Sequence, residues 1–104
     1  MTDIHQKIKE LVEKNKIVIF MKGVPEAPQC GFSAQSVHLL KEAGAKDIAA
    51  VDVLADPAIR DGIKAYTQWP TIPQIFINGE FIGGCDIVTE MFEKGELKAA
   101  IEKV

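Results

Sequence analysis

Residues Pro73 to Gly84 read PQIFINGEFIGG, two short apolar runs on either side of Asn78-Gly79. Asn-Gly tolerates the positive φ angles of a two-residue hairpin turn, so this segment predicts two antiparallel strands, the second ended by Gly83-Gly84. Upstream the period is different. Ile17 to Met21, IVIFM, is a continuous β-branched and aromatic run, the pattern of a strand buried on both faces. Ser33 to Ala43 sets Val37, Leu40 and Ala43 on one face and stops at Gly44, which predicts a helix. DIAAVDV, Asp47 to Val53, is a second short apolar strand. A strand–helix–strand crossover makes these first two strands parallel. The hairpin then adds two more, the last antiparallel to its neighbour.

Helices fill the remainder. Ile4, Ile8, Leu11 and Val12 recur at helical spacing behind Thr2 and Asp3, either of which can cap. Asp56 and Pro57 take cap and first-turn positions before Ile59, Ile63 and Tyr66. Asp86 begins a helix with Ile87, Met91 and Phe92 facing inward. Gly95 breaks it, and Leu97, Ile101 and Val104 form a last amphipathic helix. The order α-β-α-β-α-β-β-α-α predicts one α/β domain over residues 1–104. It holds a four-stranded mixed β-sheet with helices on both faces, the layout of a thioredoxin-like fold.

Composition excludes several classes. The 104 residues suffice for one core without disulfide staples. A net charge of −3, with no basic cluster interleaved with aromatics, gives no reason to expect nucleic acid. No apolar run approaches the ~20 residues of a membrane span, so no membrane is expected. The N-terminus MTDIHQKIKELVEKNK lacks a signal-peptide core and the acid-poor character of a transit peptide. Two cysteines suit a reducing compartment. The expected location is cytoplasmic, or an organelle matrix if a presequence was removed.

Met21 to Gln35, MKGVPEAPQCGFSAQ, places Cys30 between a Pro-rich loop and a helix start, with Ser33 where a C-x-x-C enzyme has its second thiol. Backbone N–H groups and the helix dipole there favour a thiolate, and Lys22 reaches the same place. An ordinary thiol of pKa ~8.5 is a few per cent ionised at pH 7. Stabilisation by ~2 kcal/mol would lower the pKa by ~1.5 and ionise roughly half the population. A lone cysteine in an apolar segment is usually inert; the flanks of Cys30 are loop and helix start, which favours a functional thiol. A His-assisted nucleophile is disfavoured, because His5 and His38 both fall within helices away from Cys30, and no Cys/His pair has zinc-ligand spacing.

The second half offers a binding surface. Thr71-Ile72-Pro73 precedes a strand. A cis peptide at Pro73 would turn the Ile72 backbone toward the cysteine, where it can pair with an extended peptide; a plain loop proline is the alternative. Cys85 and Asp86 lie at another helix N-terminus, an anion site in form. Lys22 and Arg60 add positive charge. A small peptide with two carboxylates and a thiol fits such a groove.

Cys30-Gly31-Phe32-Ser33, Trp69-Pro70-Thr71-Ile72-Pro73-Gln74 and Gly83-Gly84-Cys85-Asp86 together resemble a monothiol glutaredoxin of the CGFS type, over roughly Ile4 to Val104. The Gly-Val-Pro-Glu-Ala-Pro-Gln loop before Cys30 resembles the longer loop of this class, and the length its stand-alone form. The resemblance implies glutathione in the groove. Lys22 and Arg60 would hold its glycyl carboxylate, and Ile72 beside cis-Pro73 its cysteinyl residue. The Cys85 and Asp86 N–H groups would take the γ-glutamyl carboxylate, with the Asp86 side chain near the ammonium. Gln68 and Trp69 would line the groove, and the Cys85 thiol is expected to be packed and semi-buried. The resemblance further implies a 2Fe–2S cluster ligated by Cys30 and glutathione from each of two subunits. This cluster-bridged homodimer would pass its cargo to iron–sulfur acceptor proteins, often with a BolA-like partner. Four thiolates are needed, and one chain supplies one. Three readings follow in order: a cluster carrier, a glutathione-dependent monothiol oxidoreductase acting through Cys30, and a regulatory interaction module with neither property.

Overall fold

The computed structural model describes residues 3–103. Its elements are α1 (Asp3–Lys14), β1 (Ile17–Met21), β2 (Gly23–Val24), β3 (Ala27–Pro28), α2 (Gly31–Glu42), β4 (Ala49–Asp52), α3 (Pro57–Thr67), β5 (Gln74–Ile77), β6 (Glu80–Gly83), α4 (Cys85–Glu93) and α5 (Glu96–Glu102). The main sheet has the order β4-β1-β5-β6. β1 runs parallel to β4 and antiparallel to β5, and β5 antiparallel to β6, so the sheet is mixed as expected. No helix among the described residues is long and apolar enough to cross a membrane.

The unbroken apolar run of β1 has a direct packing consequence. Side chains alternate across a strand, so Ile17, Ile19 and Met21 enter one core while Val18 and Phe20 enter the other. The first core is closed by Val37, Leu40 and Ala43 of α2 and its C-cap, Val88 of α4, and Leu97 and Ile101 of α5. The second is closed by Ile8 and Val12 of α1 and by Ile59 and Ile63 of α3. Helices therefore cover both faces, and all five β1 residues are buried. The chain adopts the thioredoxin-like fold.

Local signals explain most boundaries. Asn78 and Gly79 take φ of 57° and 82° between the paired Ile77 and Glu80, the left-handed turn a two-residue hairpin requires. Asp56 caps α3, its carboxylate accepting from the Ile59 N–H at 3.3 Å, with Pro57 in the first turn. Several expectations shift. α2 begins at Gly31 rather than Ser33, the second strand is confined to Ala49–Asp52, and α4 begins at Cys85 rather than Asp86. Phe92 is exposed rather than inward: Val88 fills the core position, one turn earlier on the inward stripe. Thr2 as a cap and Val104 as a core residue lie outside the described residues.

The segment before Cys30 holds a feature absent from the sequence reading. β2 and β3 form a two-stranded ribbon, Gly23 opposite Pro28 and Val24 opposite Ala27. Two-residue strands carry no readable periodicity. The ribbon is closed by the Gln29 N–H donating to Lys22 O at 2.9 Å, and tied to β4 by the Gly23 N–H donating to Asp52 Oδ1 at 2.9 Å. It folds the chain back so that Lys22 stands beside Cys30.

Candidate functional site

Cys30 is the N-cap of α2, with extended backbone (φ −154°, ψ 134°), and its carbonyl accepts the first helical hydrogen bond, from Ala34 N–H at 2.9 Å. The second and third residues of a helix have N–H groups that normally seek an N-cap acceptor. Here these belong to Phe32 and Ser33. The sulfur makes no cap hydrogen bond, and the two N–H groups act on its ionisation instead. The Cys30 thiol is held below the ordinary thiol range, first by the backbone N–H of Ser33. Partial burial pushes the other way. The Phe32 N–H, the Ser33 hydroxyl and the Lys22 charge lower it further, Lys22 least. The helix start thus outweighs the ammonium that the sequence placed beside it.

Ser33 does more than leave out a second sulfur. It is fully buried, and its Oγ accepts from the Lys22 N–H at 3.1 Å. One hydroxyl thereby tethers the end of β1 to the helix that carries Cys30.

From Cys30 opens a groove of about 660 Å³. One wall is the segment between α3 and β5, Trp69 to Pro73; another is the start of α4, Gly84 to Ile87; Lys22, Phe32 and Lys64 complete it. The Ile72–Pro73 peptide is cis, as one of the two sequence readings required. Gly84 lets the α4 terminus approach this turn: a Cβ there would lie 3.2 Å from Pro73 O and 3.6 Å from Trp69 Nε1. Two helix N-termini, those of α2 and α4, therefore face one cavity, and both are partially positive.

Of the expected site residues, the structure brings together Cys30, Lys22, Ile72, Pro73, Cys85 and Asp86. Arg60 is not among the lining residues. Its Nε lies 3.7 Å from Asp61 Oδ1, and Lys64, one turn further along α3, reaches the groove instead. Lys64 was detectable, since Arg60 and Lys64 share the stripe that follows the inward Ile59 and Ile63. Gln68 also stays outside, as the left-handed C-cap of α3 at φ 59°. Cys85 is half-buried, its Sγ 3.9 Å from Thr89 Oγ1, which already donates to Cys85 O at 2.8 Å. His5 and His38 are exposed on α1 and α2. Among the described residues no three His, Cys, Asp or Glu side chains are grouped to hold a metal ion.

The chain that builds this cleft is similar to known proteins. The family model described as glutaredoxin matches residues 17–82. Glutaredoxin 4 of Buchnera aphidicola subsp. Baizongia pistaciae is 52% identical over 101 residues, covering 97% of this chain and 93% of the relative. The mitochondrial monothiol glutaredoxin-5 of Saccharomyces cerevisiae is 47% identical over 104 residues, covering 98% of this chain and 69% of the relative. The crystal structure of a buckwheat glutaredoxin–glutathione complex superposes with a TM-score of 0.84 at 29% identity, covering 96% of this chain and 88% of that one. The chain belongs to the glutaredoxin family, and to its monothiol branch.

Proposed function

We propose that the groove binds glutathione and that Cys30, together with the glutathione thiol, ligates a 2Fe–2S cluster bridging two subunits, which the protein delivers to acceptor proteins in iron–sulfur assembly. The observation that carries this reading is the placement of one thiol of lowered pKa at the mouth of a groove sized and charged for a small peptide with two carboxylates. Lys22 and Lys64 of α3 take the glycyl carboxylate, Lys64 in the role expected of Arg60. The Ile72 backbone beside Pro73 pairs with the cysteinyl residue. The Cys85 and Asp86 N–H groups hold the γ-glutamyl carboxylate at the α4 terminus, and the Asp86 carboxylate faces the ammonium.

The cluster is cargo. Four thiolates hold it, and two Cys30 with two glutathiones supply four. Ser33 leaves no second thiol in the same turn to form a disulfide with Cys30 in competition with iron. Half the ligands are exchangeable small molecules, which suits release to an acceptor; a BolA-like protein is the partner that would replace one subunit. The chemistry requires reduced thiols and so a reducing compartment, the cytoplasm or an organelle matrix.

Anaerobic reconstitution with iron, sulfide and reduced glutathione tests this. The expected product is coloured and dimeric, with one iron, one sulfide and one glutathione per chain, and Cys30→Ser abolishes all three signs. A colourless, iron-free wild type in excess glutathione overturns it.

The lowered Cys30 pKa also favours a second reading, glutathione-dependent disulfide reduction. The Cys30 thiolate attacks the glutathione sulfur of a mixed disulfide and expels the substrate thiolate, which takes a proton. A second glutathione thiolate then attacks the glutathionyl sulfur, releasing oxidised glutathione and restoring the Cys30 thiolate. Rapid turnover of such a disulfide by apo-protein is its signature.

A further inference from the structure

Gln74 opens β5 in an otherwise apolar run, QIFI, and is fully buried. A buried primary amide destabilises a core by about 1–3 kcal/mol unless its donors and acceptor are matched. Here all are matched, and all by one segment. Nε2 donates to Trp69 O at 2.9 Å and to Thr71 O at 3.1 Å, and Oε1 accepts from Thr67 Oγ1 at 2.8 Å. The two carbonyls fix which end of the amide is which, because only the NH₂ can donate to both. Thr67 is also committed: its Oγ accepts from the Trp69 N–H at 3.2 Å and lies 3.0 Å from Ile63 O.

The segment so held is the groove wall from Trp69 to Pro73. It lies between α3 and β5, outside any sheet ladder, and Pro70 and Pro73 contribute no N–H to it. Side-chain donors must therefore serve its carbonyls. Gln74 does not line the groove, so its action on a ligand is indirect. We infer that Gln74 is the positioning residue of the glutathione groove, fixing Trp69 and Thr71 so that the Ile72 backbone is presented to ligand. This rests on the proposed glutathione site, but the wall's rigidity can be read without any ligand.

The test uses Trp69, the sole tryptophan, in wild type, Gln74→Met and Thr67→Val. Met keeps the side-chain length and removes all three hydrogen bonds; Val removes the donor to Oε1 and, with it, the acceptor of the Trp69 N–H. In apo-protein of native circular dichroism, Trp69 fluorescence anisotropy should fall in Gln74→Met and by less in Thr67→Val. The Kd for reduced glutathione should rise about tenfold in Gln74→Met, the loss expected for two anchoring bonds. Unchanged anisotropy and unchanged Kd in a folded Gln74→Met overturn the assignment. Should Gln74→Met fail to fold, Gln74→Asn, one methylene too short to keep both bonds to the Trp69 and Thr71 carbonyls, decides by the same two readings. Should wild type not bind glutathione, the proposed ligand fails, while the anisotropy alone still upholds or overturns the role of Gln74.

Discussion

The backbone N–H of Lys22 donates to the buried hydroxyl of Ser33 across eleven residues of sequence, at 3.1 Å. The residue that takes the place of a second thiol is thus a structural acceptor and, through its own proton and N–H, a source of thiolate stabilisation. Ser33→Ala removes the hydroxyl and keeps the N–H. The Cys30 pKa should rise but stay below that of an ordinary thiol, because the larger contribution survives. The orphaned Lys22 N–H should reduce stability by about 1–3 kcal/mol. Thiolate absorbance against pH in a Cys85→Ser background, with urea unfolding of the same proteins, reads both effects.

The lowered thiol pKa also ties stability to pH. Between the lowered folded value and the ordinary one, the unfolded chain holds a proton that the folded chain has released. Stability therefore rises with pH across that window, is fully present above the ordinary thiol pKa, and is lost as pH falls through the folded value. Cys30→Ser removes this contribution. The difference in unfolding free energy between wild type and Cys30→Ser should grow as pH increases through the window and be flat below it. A difference independent of pH would show that the helix start does not favour the anion.

Lys64 lines the groove and Arg60 does not, so the two cations should differ in their hold on ligand. Lys64→Ala should weaken glutathione binding several-fold at low salt and less at high salt, since the groove is open and its charges are screened. Arg60→Ala should have the smaller effect, because its side chain lies beside Asp61 and outside the groove lining. Calorimetric titration of both variants at two ionic strengths checks the order.

The fold was legible because its decisive signals are local or periodic. The Asn78-Gly79 turn, the five-residue run of β1 and the Asp56-Pro57 cap each have one good structural solution. Cys30 and the Thr71-Ile72-Pro73 turn were readable as site elements for the same reason. What escaped depends on contacts between distant segments. The β2–β3 ribbon exists because Asp52 and Lys22 anchor it, Lys64 faces the groove because of how α3 lies on the sheet, and Phe92 is exposed because the buried part of α4's stripe ends before its last turn. Gln74 was visible only as part of a motif; its burial and partners give it a role.

The packing of α1 on α3 sets a last test away from the groove. Gly62 stands at mid-helix in α3, where alanine is ordinarily better by up to about 1 kcal/mol. Its surroundings reverse that preference. A Cβ at Gly62 would run into Ile4 Cγ2 and lie 3.3 Å from Ile8 Cδ1, and Ile8 is fully buried. Overpacking of this kind costs about 1–3 kcal/mol, so Gly62→Ala should be net destabilising by roughly 1–2 kcal/mol in urea unfolding. Removing the obstructing methyl should relieve it: Gly62→Ala combined with Ile4→Ala should be less destabilised than the sum of the two single changes. Strict additivity would mean that the helices separate to admit the methyl, and that glycine at this position does not set their spacing.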